Sequence, residues 1–402
     1  CSKRSGPRPR LLGALTGAAI AAGALALMPA PAAALDNGLA RTPPMGWNSW
    51  YTARCDVTEE DVLRNAHGLV DSGMAALGYD YVNVDGCWEA LERDQNGELA
   101  ANPQTFPSGM AALGRAIHAM GLRFGIYTSA GFTICVHPQP GSWDHFKKDM
   151  RTFARWKVDY VKVDWCSPPH GSDPRKVYPR VARAAARSGR TMLVTVSTPG
   201  FKKPWRWAGR YGNSWRISAD ADGTWGGVTR SLDADAPLSS YAEPGSWNDP
   251  DMLQVGSRVL SADEERAHFS LWGMLAAPLL EGYDIPSLPF DSLAVLKNTD
   301  VIRVDQDARG VQGRRIRKRN GVEVWVKPLV NGAVAVAVLN RSGRARSVKV
   351  RLSKVPGLPS SADGYVAKEL WRKERLVLAA DAALRAFVPK HGVAMWRVRR
   401  AP

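Results

Sequence analysis

Histidine and cysteine are scarce in this chain of 402 residues, which contains seven His and five Cys. The histidines form no H-x-x-x-H or similar cluster, and a structural zinc site would need ligands at closer spacing than these cysteines offer. So few cysteines also exclude a small disulfide scaffold. We therefore expect neither a metal nor a cofactor.

Long apolar runs are limited to one stretch, from Leu11 to Met28. Basic residues precede it, and the small-residue stretch from Pro29 to Ala34 follows it with an A-x-A cleavage site. This order predicts a secretory signal peptide over residues 1–34 and a secreted protein without membrane contact after its removal; a membrane anchor is the alternative. An even number of cysteines would remain, which suggests two disulfides among Cys55, Cys87, Cys135 and Cys166.

A net charge is lacking over the first 302 residues, although the whole chain carries +16. Residues 303–402 contain 23 Lys+Arg and 7 Asp+Glu, a difference of +16, which leaves 31 groups of each sign before them. A solvated Arg-rich face explains this surplus, and attraction to an acidic polymer is the alternative. No groove with interleaved aromatic and basic residues is apparent, so we expect no nucleic-acid partner.

Alternation of short apolar runs with longer helix-like stretches extends from residue 43 to about 300. Thr58 is a candidate helix N-cap with Asp61 three residues later, and other helices are expected from about Pro107 to Met120 and from about Ser142 to Trp156. The spacing allows a crossover helix after each strand and predicts a (β/α)8 TIM barrel over residues 35–304. The predicted strands are Met45–Trp50, Tyr81–Asp85, Phe124–Thr128, Tyr160–Asp164, Met192–Ser197, Trp215–Asp220, Met252–Val255 and Ala277–Leu280.

Carboxylates lie at the ends of several predicted strands: Asp85, Asp164 and Asp220 follow strands 2, 4 and 6, and Asp251 lies at strand 7. Any one of them could simply cap the next helix. Barrels of this kind place their active sites at the carboxyl ends of the strands. Four carboxylates with flanking Trp and Tyr at that face therefore indicate a functional site.

A period-two alternation replaces the barrel pattern from about Asp305, in segments such as VEVWVKPL, GAVAVAVLN and GVAMWRVRR. Gly, Asn, Pro and Ser turns separate these segments. The pattern predicts an antiparallel, sandwich-like β domain of about six to eight strands over residues 305–402.

The strand-end motifs resemble those of glycoside hydrolase family 27, the melibiase or α-galactosidase family. The resemblance covers residues 40 to 310, with the motifs in the family's order, and the β domain resembles the family's C-terminal domain. It implies an exo-α-glycosidase acting on an α-linked oligosaccharide or polysaccharide. The motifs are PPMGWNSW (43–50), YVNVDGCW (81–88), GIYTSAG (125–131), YVKVDWC (160–166), WRISADADGTW (215–225) and WNDPDML (247–253).

The resemblance assigns Asp164 as the nucleophile and Asp220 as the acid/base. A retaining glycosidase needs such a pair, one ionised and one protonated, about 5 to 5.5 Å apart. Lys162 lies two residues before Asp164 on the same strand face and can hold the nucleophile ionised. The family's disulfides fall on Cys55–Cys87 and Cys135–Cys166. Its sugar contacts fall on Trp47, Asp85, Tyr127, Lys162, Ser197, Arg216 and Asp251.

Two departures from the family leave the substrate open. The family usually has paired aspartates after strand 2, which grip O4 and O6 of galactose, but here Gly86 follows Asp85. The gap suits an isomalto-dextranase, whose sugar is substituted at O6; alternatively Gly86 serves backbone geometry, with Glu89 or a water filling the space. In VSTPG (196–200), Ser197 and Gly200 are smaller than the family's residues and suit an α-N-acetylgalactosaminidase. An α-galactosidase remains the leading interpretation, and a non-catalytic sugar-binding protein is the rival class.

Overall fold

The computed structural model describes residues 35–136 and 138–402, together with the isolated positions 2 and 6. The predicted signal peptide at residues 1–34 otherwise lies outside the described residues. Among the helices of the described part, none is long and apolar enough to cross a membrane.

Eight parallel strands form the first sheet, in the order β7-β6-β5-β4-β3-β2-β1-β8. The sheet closes into a barrel where Leu253, just after β7, forms a parallel bridge with Glu281 of β8. This architecture confirms the predicted barrel. The strands are β1 Met45–Asn48, β2 Tyr81–Val84, β3 Arg123–Ser129, β4 Tyr160–Asp164, β5 Leu193–Ser197, β6 Ser214–Arg216, β7 Trp247–Asp249 and β8 Leu279–Glu281.

Helices follow the strands around the barrel. The predicted cap on Thr58 is present: its hydroxyl accepts from the Asp61 backbone N–H, and the Asp61 carboxylate accepts from the Thr58 N–H in return. The two other predicted helices begin three or four residues later than expected. The helices are α1 Trp50–Ala53, α2 Glu59–Asp71, α3 Met110–Ala119, α4 Phe146–Arg155, α5 Pro174–Ala186, α6 Trp225–Asp235, α7 Ala262–Leu275, α8 Phe290–Leu296 and α9 Thr299–Asp305.

Strand 7 was predicted at Met252–Val255, and that prediction is wrong because β7 is Trp247–Asp249. The strand contains Asn248, a polar residue that is typical of loops, so the sequence pattern does not indicate a strand there. In the fold, Asn248 is buried and satisfied, since it accepts from the Trp215 indole at 2.8 Å and donates to Leu238 O at 3.0 Å. Strand β6 likewise ends at Arg216, so Asp220 lies on the following loop.

The C-terminal part is antiparallel, as predicted, with eight strands. Six form one sheet in the order β14-β13-β16-β11-β10-β9, and β12 pairs with β15 in a second sheet. Valines from both sheets, such as Val336 and Val350, meet in one core. The strands are β9 Arg314–Arg319, β10 Val322–Pro328, β11 Val334–Asn340, β12 Arg346–Arg351, β13 Tyr365–Glu369, β14 Arg375–Leu378, β15 Ala383–Val388 and β16 Val393–Arg400.

The β domain packs against helix α7 of the barrel. Trp325 and Met395 of the β domain share a buried apolar cluster with Leu275 of α7. At the same junction the buried Lys327 ammonium donates to Gly273 O at 3.0 Å, and the Trp371 indole donates to Ser270 Oγ at 2.9 Å. The two parts therefore share one continuous core.

Candidate active site

A cavity of about 190 Å³ opens at the carboxyl ends of the barrel strands, where barrels of this kind hold their active sites. Most of its lining comes from strand ends and the loops that follow them. The lining residues are Trp50, Tyr51, Asp85, Gly86, Tyr127, Ile134, Cys135, Val136, Lys162, Asp164, Trp165, Cys166, Ser197, Pro199, Arg216, Asp220 and Met252.

A buried ion pair occupies one side of this cavity. The Lys162 ammonium donates to Asp85 Oδ2 at 2.8 Å, and the Asn48 amide donates to the same oxygen at 2.8 Å. The Asp85 side chain is 3% exposed and that of Lys162 is 15% exposed. Lys162 also lies 5.4 Å from the centre of the Tyr127 ring. These hydrogen bonds hold the Asp85 carboxylate and the Lys162 ammonium in fixed positions in the cavity lining, where both can contact a ligand.

Asp164 closes strand β4, where its Cα pairs with Ser129 on β3 and Ser197 on β5. Burial raises the pKa of this carboxyl above its ordinary value. The Lys162 charge, a hydrogen bond from the Ser197 hydroxyl and the Arg216 charge all oppose the rise. Asp164 is thus a half-buried carboxylate next to two cations.

A second cation, Arg216 at the end of β6, bridges two carboxylates. One of its amino groups lies 3.0 Å from Asp220 Oδ1 and 3.0 Å from Asp251 Oδ2. Asp251 is almost wholly buried and is further held by the Tyr51 hydroxyl at 3.0 Å and by the Ala221 backbone N–H at 2.6 Å. Asp220 is the exposed member, with 63% of its side chain accessible.

The two carboxyls assigned to catalysis differ in environment. Partial desolvation raises the pKa of Asp220, but the charges of Arg216 and Lys162 outweigh it and leave the pKa below its ordinary value. Asp164, by contrast, has a raised pKa. These directions are opposite to those expected for an ionised nucleophile and a protonated acid.

Both predicted disulfides are present: Cys55 bonds to Cys87, and Cys135 bonds to Cys166. The second bond lines the cavity and fixes the loop after β3 beside Asp164. The sulfurs of Cys135 and Cys166 lie with the Asp164 carboxylate inside 4.8 Å of one another. Since the disulfide consumes both thiols, this group offers no thiolate to a metal.

The structure brings seven of the nine predicted catalytic and sugar-contact residues into the cavity lining, and Trp47 and Asp251 lie outside that lining. Trp47 is fully buried, and its indole donates to Tyr283 O at 3.0 Å. Asp251 instead contacts Arg216, which does line the cavity. The sequence argument missed Tyr51, which lies one residue beyond the predicted first strand and whose hydroxyl holds both Ala221 O and Asp251.

The two unusual glycines have different causes. A Cβ on Gly200 would lie 2.7 Å from Ile217 O at a φ of +77°, so the backbone requires glycine there. The backbone alone explains the small residue at position 200. Gly200 therefore does not support the N-acetyl pocket that the VSTPG segment suggested.

Gly86 lines the cavity and has no such positive φ, so backbone geometry does not explain it. A Cβ there would lie 3.2 Å from the Tyr127 ring. Glu89, the suggested substitute, is buried outside the lining, and among the described residues neither of its carboxyl oxygens has a hydrogen-bond partner. Burial raises the pKa of Glu89 well above its ordinary value.

A cavity with several carboxylates and two cations at the mouth of a (β/α)8 barrel is the arrangement of a glycoside hydrolase. Comparison with known proteins agrees. Residues 42–307 match the family model described as alpha galactosidase A, and residues 319–398 match that of the alpha galactosidase C-terminal beta sandwich domain. The chain belongs to glycoside hydrolase family 27, the melibiase or α-galactosidase family.

Individual relatives align over nearly the whole chain. An alpha-galactosidase of Oryza sativa subsp. japonica is 42% identical over 363 residues, which are 90% of this chain and 86% of the relative. The crystal structure of alpha-galactosidase I from Mortierella vinacea superposes with a TM-score of 0.87 at 30% identity, over 91% of this chain and 99% of that one. The α-galactosidase of Saccharomyces cerevisiae, solved with raffinose, gives a TM-score of 0.85 at 28% identity, with coverage of 91% and 99%.

Proposed function

We propose that this protein is a secreted, retaining exo-α-galactosidase that removes terminal α-D-galactosyl residues. The observation that carries the proposal is the placement of Asp164 and Asp220 in one cavity beside Lys162 and Arg216. The relatives named as α-galactosidases and the yeast structure solved with raffinose support galactose as the sugar. The two disulfides support an exported protein, because such bonds persist in oxidising compartments.

In the first step, Asp164 attacks C1 of the sugar and forms a glycosyl ester. The bond from C1 to the leaving oxygen breaks, and Asp220 gives its proton to that oxygen. Lys162 and Arg216 favour the charged, nucleophilic form of Asp164 and oppose the effect of its burial. In the second step Asp220 takes a proton from a water molecule, whose oxygen attacks C1. The ester bond to Asp164 breaks, and C1 regains its original configuration.

Asp220 must enter the first step protonated, and the bound substrate supplies the reason. A bound leaving group that covers the exposed face of Asp220 excludes water and raises the pKa of this carboxyl. Once Asp164 is esterified, its negative charge is lost. Asp220 then favours its ionised form, with Arg216 at 3.0 Å, and can act as the base.

Sugar hydroxyls are held by the fixed polar groups around the pair. Lys162 can donate and Asp85 can accept, while Ser197 and Arg216 offer donors on the other side of Asp164. Tyr127 and Trp50 supply ring surface. Such an arrangement of paired charges and aromatic walls suits a polyhydroxylated ring.

One reaction mixture distinguishes the two substrates that Gly86 leaves open. The protein is incubated with melibiose and dextran together, and the products are separated by chromatography. We expect galactose from melibiose while dextran stays intact. Isomaltose from dextran with melibiose intact would instead establish the isomalto-dextranase alternative. In a separate assay, hydrolysis of an aryl N-acetyl-α-galactosaminide in preference to the aryl α-galactoside would establish the α-N-acetylgalactosaminidase alternative.

The variant Asp164→Asn is expected to lose turnover of an aryl α-galactoside by more than about a thousandfold, because an amide cannot form the ester. Its melting temperature should stay near that of the native protein. The matched control is Asp144→Asn, which changes a carboxylate that is 65% exposed outside the cavity lining. A rate in Asp164→Asn close to that of the control would remove Asp164 from the mechanism.

A further inference from the structure

A second cavity, of about 530 Å³, lies between helix α9 and the face of strands β14, β13 and β16. We call it the basic groove. Its cations outnumber its carboxylates, which are Asp300 and Asp307. The remaining lining is aliphatic. The cations are Arg303, Lys368, Arg375, Arg397 and Arg399.

Strand register aligns three of these cations in one row. Lys368 on β13 pairs with Arg375 on β14 and, on its other side, with Arg397 on β16. Side chains at paired positions project to the same face of a sheet, and like charges placed directly opposite one another are destabilising. Arg399 extends the row along β16, because residues two apart share a face. The fold therefore places these cations close together, although they repel one another across the paired strands.

The carboxylates of the groove compensate only part of this charge. Asp300 accepts from Lys368 at 2.8 Å and from Lys373 at 2.8 Å, and it lies 3.6 Å from Arg303. Asp307 is occupied by backbone groups, since it accepts from the Val330 N–H at 3.0 Å.

Two arginines of the row are left without a partner. Within the described ranges, no acceptor is hydrogen-bonded or ion-paired to the side chain of Arg375 or Arg397. Arg397 is half-buried and Arg375 is exposed. Unpaired guanidinium groups in a concave site bind carboxylate, sulfate or phosphate oxygens in a bidentate manner.

The edge strand β9 differs, although it too is rich in arginine. Its Arg315 and Lys318 meet Asp233 of helix α6, so that part of the surplus is neutralised inside the protein. Arg317 and Arg319 are exposed on this edge strand and do not line the basic groove. The basic groove therefore combines unpaired positive charge with a concave surface.

We propose that the basic groove binds a linear polysaccharide that carries carboxylates, such as a chain of uronic acids, and thereby holds this glycoside hydrolase on an acidic glycan. A uronic-acid chain presents a carboxylate on every sugar, which matches a row of cations. The groove lining contains no aromatic side chain, and nucleic-acid grooves commonly use such side chains to stack bases. The proposal goes beyond the hydrolytic cavity and does not depend on which sugar that cavity cleaves.

The test measures binding of the full protein to immobilised polygalacturonate between roughly 50 and 200 mM salt. The double variant Arg375→Gln/Arg397→Gln should bind about tenfold more weakly and should reduce the slope of log K against log salt by about two. The matched control Arg317→Gln/Arg319→Gln removes the same charge from β9 and should change affinity less than about twofold. Neutral dextran should not bind in the groove. Because no turnover is measured, the result is independent of the proposed α-galactosidase activity.

Equal weakening in both double variants would show that polygalacturonate binds through the general positive charge of the domain, and would overturn the proposal that the groove is the binding site. Absence of binding at the lowest salt would also overturn it. If the groove binds duplex DNA more tightly than polygalacturonate, an acidic polysaccharide is not its ligand. Thermal unfolding provides a second measurement. Polygalacturonate should raise the melting temperature of the native protein and of the β9 control but not that of the groove variant, and an equal rise in all three proteins would contradict the proposal.

Discussion

At the scale of single residues, two buried cation–carboxylate pairs set the charge of the active-site cavity. Lys162 with Asp85 and Arg216 with Asp251 each join side chains that are no more than 15% exposed. Buried pairs of this kind often contribute little to stability, since desolvation offsets their attraction. Their position at the strand ends supports the proposed role of both pairs in binding and catalysis.

Gly86 allows a direct test of the space next to Asp85. We expect Gly86→Ala to lower kcat/KM on melibiose, because its Cβ would lie 3.2 Å from the Tyr127 ring and must displace it slightly. Gly86→Asp adds the same Cβ together with a carboxylate that can accept from sugar hydroxyls. It should exceed the alanine variant by about tenfold and exceed the native protein. An aspartate variant no better than alanine would show that Gly86 is not a missing contact.

The residues that sequence could identify are those at strand ends. Asp85 and Asp164 directly follow apolar runs, so the barrel rule places them at the mouth without further information. Trp47 illustrates what sequence does not supply: it lies in a strand, but its side chain turns into the core. Tyr51 lines the cavity, and its hydroxyl donates to Asp251, which is 200 residues away in sequence. Only the folded chain reveals that contact.

At the scale of elements, one local signal, the capping box, located the start of α2, whereas strand β7 was missed. Strand β7 was missed because Asn248 and Asp249 are polar, and in the fold hydrogen bonds to Trp215 on the neighbouring strand and to Leu238 satisfy Asn248. The capping box of α2 was legible since it needs only Thr58 and Asp61. Contacts between neighbours in sequence can be predicted from sequence, whereas contacts across the barrel cannot.

The capping box should have a measurable energy. Thr58→Ala leaves the Asp61 backbone N–H without its acceptor, and we expect a loss of about 1 kcal/mol in the free energy of unfolding. Thr58→Ser keeps the hydroxyl and is the matched control, with a loss well below that. Urea unfolding measures both, and equal losses in the two variants would mean that the threonine methyl group, rather than the cap, carries the effect.

At the scale of the whole molecule, a charge cluster ties the barrel to the β domain. Asp233 of α6 accepts from Lys318 of β9 at 3.1 Å and from Arg341 at 2.9 Å, and Arg315 joins them. Glu323 of β10, fully buried, accepts from Arg341 at 2.9 Å. These cations lower the pKa of Asp233 to about 2.

Stability should therefore depend on pH through Asp233. Its folded pKa lies below the unfolded value of 3.8, so its contribution is fully present above about pH 4 and is lost as pH falls through about 2. Because the side chain is 37% exposed, we reduce the expected loss in Asp233→Asn to about 1 kcal/mol at pH 6. Urea unfolding at pH 3 should show about half of that difference. The control Asp263→Asn, which breaks one exposed ion pair, should show little effect, and a gap that does not narrow at pH 3 would exclude this linkage.

The central claim of the account is that Asp164 carries the sugar between two steps. The most direct measurement uses Asp220→Ala with an aryl α-galactoside whose leaving group needs no proton, so that the ester forms but is hydrolysed slowly. After acid quenching and digestion, mass spectrometry locates the added galactosyl unit. We predict that it lies on the peptide containing Asp164. A galactosyl unit on another carboxylate, or none under conditions where the leaving group is released in a burst, would contradict the mechanism.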